Sequence, residues 1–218
     1  MLFLRVNIMK LNKEILIVEA ALHLFKEKGF AAVRIADIAQ EAGVGKGTVY
    51  EYYSSKEELL VRACCYNCQK VGEDIGQILS RETQLSNPVK IVHKTLQIVL
   101  TKLLEKTTEE NKLFYELSVL TATNAELKEL VRADFQAKVK QWQDATLVDY
   151  QRGLDSGHFR YIEKPEDLAE FLVATVDGIM WQMQWQQTEK LKDQARRMVD
   201  VYCQLIMKTP HKLAEYLK

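Results

Sequence analysis

The stretch VRIADIAQEAGVGKGTVYEYYSSKEELL, residues 33–60, constrains the chain more tightly than any other. Ile35, Ile38, Ala39 and Ala42 recur at i, i+3, i+4 and i+7, so the spacing predicts a short helix with one narrow apolar stripe. Gly43 follows, and a residue without a Cβ takes the left-handed conformation at no steric cost and stops the helix. Val44 can then fold back between this helix and the next. From Lys46 to Tyr53 the apolar positions Val49 and Tyr53 lie four apart and can face inward, leaving Lys46, Thr48, Tyr50 and Tyr52 on the outer face. Ser54-Ser55 is set to cap a longer helix, with Lys56 exposed in its first turn. Two short helices joined by a glycine turn, the second opening with an amine and a hydroxyl, suit a helix-turn-helix that enters the major groove of DNA.

The rest of the chain reads as helices. Its only prolines, Pro88, Pro165 and Pro210, stand where a helix begins or a tail separates, and no stretch has the alternation of a strand. A first helix is expected from a cap at Asn12 to Lys28, with Ile15, Val18, Ala21, Leu22 and Phe25 on one face and Gly29 ending it. The helix opening at Lys56 runs to about Arg81. Ser86-Asn87-Pro88 starts another through Lys106, with Val92, Leu96, Val99 and Leu103 inward and His93, Lys94, Gln97 and Lys102 near solvent. Further helices follow at 111–120, from Ala125 toward Arg152, from Pro165, and near the C-terminus. The expected fold is all-α: a three-helix DNA-binding domain over residues 10–55 and a helical ligand-binding and dimerisation domain over 56–208, about nine helices in all, with residues 1–9 and 209–218 as flexible termini.

The run IADIAQEAGVGKGTVYEYYSSKEELL resembles the signature of TetR-family transcriptional regulators in the spacing of A-G-V, the G-T-x-Y core and the closing K-E-E-L; the resemblance is specific over Lys13 to Leu60. It implies a homodimeric repressor that binds double-stranded DNA at a palindromic operator and leaves it when a small-molecule effector binds the C-terminal bundle. Two positions depart from the family pattern. Arg34 stands where the family has a capping Thr or Ser, and Gly45 where it has Ser. Gly45 costs about a few tenths of a kcal/mol as a cap, whereas Arg34 has no acceptor and is read instead as a phosphate donor. The expected DNA-binding set is Arg34, Ala36, Gly45, Lys46, Thr48, Tyr50, Tyr52 and Lys56, with Ala36 against a thymine methyl and Tyr50, Tyr52 and Lys56 on phosphates.

Charge adds no bulk attraction to nucleic acid. Lys+Arg and Asp+Glu each number 30, and residues 10–62 hold eight basic and eight acidic side chains, so DNA affinity depends on placement on one face. The opening MLFLRVNIMK has too short an apolar core for a signal peptide, and no run approaches the roughly 20 apolar residues of a membrane span, so a cytoplasmic protein without a membrane partner is expected.

Phosphate loops, paired carboxylates and metal-ligand spacings are lacking, which argues against an enzyme, a cofactor and a metal site. Cys64, Cys65 and Cys68 include a C-x-x-C, but no second pair completes a zinc site, and core packing is the simpler reading beside a redox or metal sensor. LDSGHFR reads as a loop, and His23 as structural. Phe114, Tyr115, Leu117, Trp142, Trp181 and Trp185 form the expected effector pocket, suited to an apolar or aromatic ligand; the neutral Gln182, Gln184, Gln186 and Gln187 nearby favour an uncharged or cationic one. Phe171, Val176, Ile179 and Met183, with Ala195, Met198, Tyr202 and Leu205, are the expected dimer interface, where Gly178 lets backbones approach. A DNA-binding activator or chromosome-associated factor without an effector is the alternative.

Overall fold

Helical periodicity governs nearly the whole chain, and a computed structural model describes residues 2–81, 87–105, 108–183, 185 and 188–218, with backbone alone over 2–12, 108–111 and at 188. Ten α-helices lie within the described residues: α1 Leu2–Lys28, α2 Ile35–Glu41, α3 Lys46–Tyr52, α4 Lys56–Arg81, α5 Pro88–Leu104, α6 Thr108–Thr123, α7 Ala125–Asp155, α8 Pro165–Gln182, α9 Thr188–Ile206 and α10 Leu213–Leu217. A 3-10 turn, Pro210–Lys212, precedes α10, and the only pairing of strand type among the described residues is an isolated bridge between Phe159 and Met207. No described helix is long and apolar enough to cross a membrane. Ser86, Lys106, Gln184, Gln186 and Gln187 lie outside the described residues.

Two compact units divide the chain. The first holds α1, α2, α3, α4 as far as Val71, α6, and α7 as far as Asp134; the second holds the remainder of α4 and α7 with α5, α8, α9 and α10. α1 begins at Leu2, and α10 buries Leu213 in the second unit's core.

The first unit is built on α1. Ile17, Ala21 and Leu24, flanked by Val18, Ala20 and Phe25, are its buried face, while Ile15 is exposed and Leu22 only half-buried. The stripe is therefore rotated from the expected one, and Asn12 lies inside the helix rather than capping it. Ile35, Ile38 and Ala39 of α2, Val49 of α3, Tyr53, and Leu59, Leu60, Val61 and Ala63 of α4 join the same core. Leu113 and Leu117 of α6 and Leu127 of α7 complete it.

In the second unit α5 packs along α9. Asn87 caps α5 by accepting from the Val89 N–H at 2.9 Å, and Pro88 occupies the first helical position, whose N–H has no partner in any helix. His93, expected near solvent, is buried and pairs with Asp200 Oδ1 at 2.8 Å. It stands four residues after Val89 and three before Leu96, so the stripe carries it inward, and the α9 carboxylate gives its ring nitrogen a partner. The buried stripe of α9 is Leu191, Ala195, Val199, Tyr202, Cys203 and Ile206. Beyond α7, Tyr150 Oη donates to the Arg160 carbonyl at 2.8 Å and accepts from the Ile162 N–H at 2.9 Å. The Arg160 N–H donates to the Ile206 carbonyl and the Lys208 N–H to the His158 carbonyl, which ties this loop to the end of α9.

Candidate nucleic-acid interface

The α2–α3 turn has the geometry that its glycine requires. Gly43 takes φ +66, its N–H donates to the Gln40 carbonyl at 3.2 Å, and the Val44 N–H reaches back to the Ala39 carbonyl at 2.9 Å. That pair of bonds satisfies carbonyls that the end of α2 would otherwise leave open. Val44 packs half-buried against the core, so α3 leaves α2 at a set angle.

Before α2, Arg34 occupies the N-cap in extended conformation, and its side chain contributes no acceptor. Asp37 does the capping instead: its Oδ2 accepts from the Arg34 N–H at 2.9 Å and from Nε at 3.3 Å, and its Oδ1 lies 3.3 Å from Nη2. The guanidinium holds the Asp37 carboxyl below its usual range, first through the side-chain hydrogen bond. The Arg34 side chain is 80% exposed, so the departure at this position leaves a cation at the surface, half-neutralised by its own cap.

Gly45 caps α3 with its backbone alone, at φ −71 and ψ 147. Lys46 and Gly47 are exposed, Thr48 is half-buried, and the Lys46 ammonium lies 5.9 Å from the Tyr50 ring centre. Val49 and Tyr53 are buried beneath them, and desolvation pushes the Tyr53 hydroxyl pKa up. Ala36 and Tyr50 are exposed and Tyr52 half-buried. The outer face of α3 therefore presents the Lys46 amine and the Tyr50 phenol to solvent, with the Thr48 hydroxyl half-buried and Tyr52 packed partly against the core.

Ser55 Oγ accepts from the Glu58 N–H at 3.0 Å and so caps α4, while Glu58 Oε2 accepts from Ser54 Oγ at 2.6 Å and from the Ser54 N–H at 2.9 Å. Lys56 departs from expectation. Its ammonium donates to the Phe30 and Val33 carbonyls, each at 2.9 Å, and sits 4.2 Å from the Phe30 ring centre. It is half-buried rather than exposed, and it fastens α4 to the turn after α1. Neither carbonyl was legible as its partner, because 26 and 23 residues separate them from it.

The expected effector set draws on both units. Phe114, Tyr115 and Leu117 belong to the first unit and Trp142, Trp181 and Trp185 to the second. Leu117 is core, whereas Phe114 is 51% and Trp181 61% exposed. The expected dimer face also splits: Val176, Ile179, Ala195 and Tyr202 are buried within the protomer, so their surface is already spent. Phe171 and Leu205 are exposed, Met183 and Met198 half-buried. Phe171, Met198 and Val201 border a mostly apolar cavity of about 230 Å³ among α5, α8 and α9, with Gln194 and Arg197 as polar lining.

Cys64, Cys65 and Cys68 are half-buried, and no group of three metal-ligating side chains occurs among the described residues. Burial pushes the Cys203 thiol up to about 12. His23 lies on the surface, 3.2 Å from Glu41. Ser156 and His158 sit in the loop after α7, where Gly157 takes φ +75.

Residues 17–63 match a family model described as bacterial regulatory proteins, tetR family. The HTH-type transcriptional regulator YerO of Bacillus subtilis, itself uncharacterised, is 29% identical over 170 residues, which are 75% of this chain and 54% of YerO, so the chain spans about half that relative's length. The HTH-type transcriptional repressor DhaR of a Mycobacterium species is 24% identical, with 82% of this chain and 85% of DhaR covered. The solved structure of RolR in complex with resorcinol shares the fold at a TM-score of 0.64 and 18% identity, covering 96% of this chain and 95% of RolR.

Proposed function

The chain belongs to the TetR family of bacterial regulatory proteins, and from that premise we propose that it is a homodimeric transcriptional repressor that a small organic effector releases from a palindromic operator. The observation that carries the DNA-reading part is the outer face of α3: Lys46 and Tyr50 are exposed and Thr48 and Tyr52 half-buried beside them, on a short helix anchored by Val49 and Tyr53. Lys46 and Thr48 meet base edges or adjacent phosphates, and Tyr50 and Tyr52 set the register on phosphates. Arg34 supplies a backbone contact that competes with Asp37, and Ala36 faces a thymine methyl. Gly45 lets the backbone approach the groove.

A palindrome requires a two-fold protein, whose two α3 helices must stand about 34 to 36 Å apart. The face left for the second copy is Phe171, Met198, Val201 and Leu205 on α8 and α9. The 230 Å³ cavity opens on that face, and we assign it to the dimer contact. The effector binds among the bundle helices. The resorcinol in RolR supports a small, largely apolar aromatic ligand, the class the bundle's own aromatics suit. Because α4 contributes to both units, a ligand that favours a different placement of α4 changes the separation of the readers. It must bind the released state more tightly, since equal affinity for both shifts nothing.

The test begins with a duplex enriched by the wild-type protein from a randomised pool. Lys46→Ala is expected to weaken binding to that duplex by about 1–3 kcal/mol if Lys46 reads a base, or to lower the salt slope by about one if it holds a phosphate. Tyr52→Phe should weaken binding more modestly, with helicity unchanged in both variants. Wild-type affinity in both would remove α3 as the reader.

A further inference from the structure

The turn from Gly29 to Arg34 aims α2 and α3, and it is held from outside by two other helices. Gly29 ends α1 at φ +78 with its N–H on the Phe25 carbonyl at 2.9 Å. The next N–H, that of Phe30, donates to Glu116 Oε2 of α6 at 3.0 Å, across 86 residues of sequence. A Cβ on Gly29 would stand 3.6 Å from both Glu116 Oε1 and Lys112 Nζ, ordinary contact distance, so the α6 side chains lie close against the turn. On the carbonyl side, the Lys56 ammonium takes Phe30 O and Val33 O. Donor and acceptor groups of one turn thus end on two opposite charges, one from α6 and one from α4.

We propose that Glu116 is a positioning residue for DNA reading: by holding the Phe30 N–H it fixes the angle at which α2 and α3 leave α1. The inference rests on the DNA-reading assignment above. It extends the reading unit to a helix well outside residues 17–63, the span of the family match. α2 is seven residues long, roughly 10 Å, so a small rotation at the turn displaces the start of α3 enough to spoil bidentate geometry at a base edge. A charge-assisted bond to backbone is also among the stronger means of resisting that rotation.

The test uses the full chain, the duplex selected by wild-type protein, and a scrambled duplex of the same length and composition. Glu116→Leu is expected to bind the selected duplex roughly ten- to hundredfold more weakly, the span of one charge-assisted hydrogen bond, and the scrambled duplex within about twofold of wild type. Hydrogen exchange at the Phe30 amide should accelerate in the same variant. Glu116→Gln keeps an acceptor oxygen in place and should recover most of the selected-duplex affinity. Equal losses on both duplexes, or an unchanged Phe30 exchange rate, overturn the proposal. Should Glu116→Leu fail to fold, Glu116→Asp, whose oxygen falls short of Phe30 by one methylene, replaces it. Loss with Asp and retention with Gln supports the proposal, and equal behaviour of the two overturns it. Failure of the wild-type chain to enrich any duplex sinks the DNA assignment, and Phe30 exchange then still decides whether Glu116 holds the turn.

Discussion

Gly153 and Lys56 illustrate how a single side chain, or its lack, acquires its role from what lies across the fold. A Cβ on Gly153 would fall 1.9 Å from Cδ2 of the fully buried Phe159, which stacks on Tyr150. Alanine in a helix ordinarily gains up to about 1 kcal/mol over glycine, but here the ring has no room to withdraw. Gly153→Ala is expected to destabilise the protein by about 1–3 kcal/mol despite its better helix propensity, measured by denaturant unfolding; a gain in stability would show that Phe159 can repack. Lys56 looks from sequence like any exposed cation in a helix's first turn. Because it ends on two carbonyls, Lys56→Met should cost about 1–3 kcal/mol of stability and leave the salt dependence of DNA binding unchanged; the opposite pattern would return it to the phosphates. Val49 and Tyr53 were legible as inward because their partners are supplied by the same few turns of chain. Glu116 was not, since nothing near it in sequence marks a turn 86 residues away as its acceptor's target.

At the scale of elements, starts and stops follow local chemistry. Asn87-Pro88, Ser55, Gly43 and Gly157 act where the chain places them, since a cap needs only residues within one turn of itself. Faces are less secure: α1 is rotated toward Ile17 and Leu24, and α5 turns His93 inward, because a helix with apolar residues on several sides takes the face its neighbours offer. The cap of α4 also carries a pH dependence. Hydrogen bonds from Ser54 hold the Glu58 carboxyl below its ordinary 4.5. A group depressed on folding contributes stability above its unfolded pKa and loses that contribution as pH falls through the folded one. Glu58→Gln should therefore lower Tm at neutral pH, with the difference from wild type shrinking toward zero as pH drops below 4.5. A difference that persists unchanged in acid would mean that shape, rather than charge, matters at this cap.

For the whole molecule, the question left by burial is what covers α8 and α9. Phe171 is 51% and Val201 52% exposed on a face that also carries Met198, while the neighbouring Val176, Ile179, Ala195 and Tyr202 complete the protomer's own core. The proposed dimer predicts that Phe171→Glu converts the wild-type dimer to a species of 25.2 kDa by sedimentation, with helicity retained, because a charge at a desolvated contact lacks a partner. A wild-type chain that sediments as a monomer would remove the interface altogether.

By itself the sequence determined that the chain is helical, where most helices begin and end, and that residues 33–60 form a helix-turn-helix, because periodicity, caps and left-handed glycines act over a few residues. Only the tertiary structure decided which apolar faces are consumed inside the protomer. It also decided that the candidate pocket aromatics fall in two separate units, and that Lys56 and Glu116 grip one turn from either side. Those outcomes depend on groups brought together from distant parts of the chain, and hydrogen bonds and apolar contacts reward proximity in space, whatever the separation along the sequence.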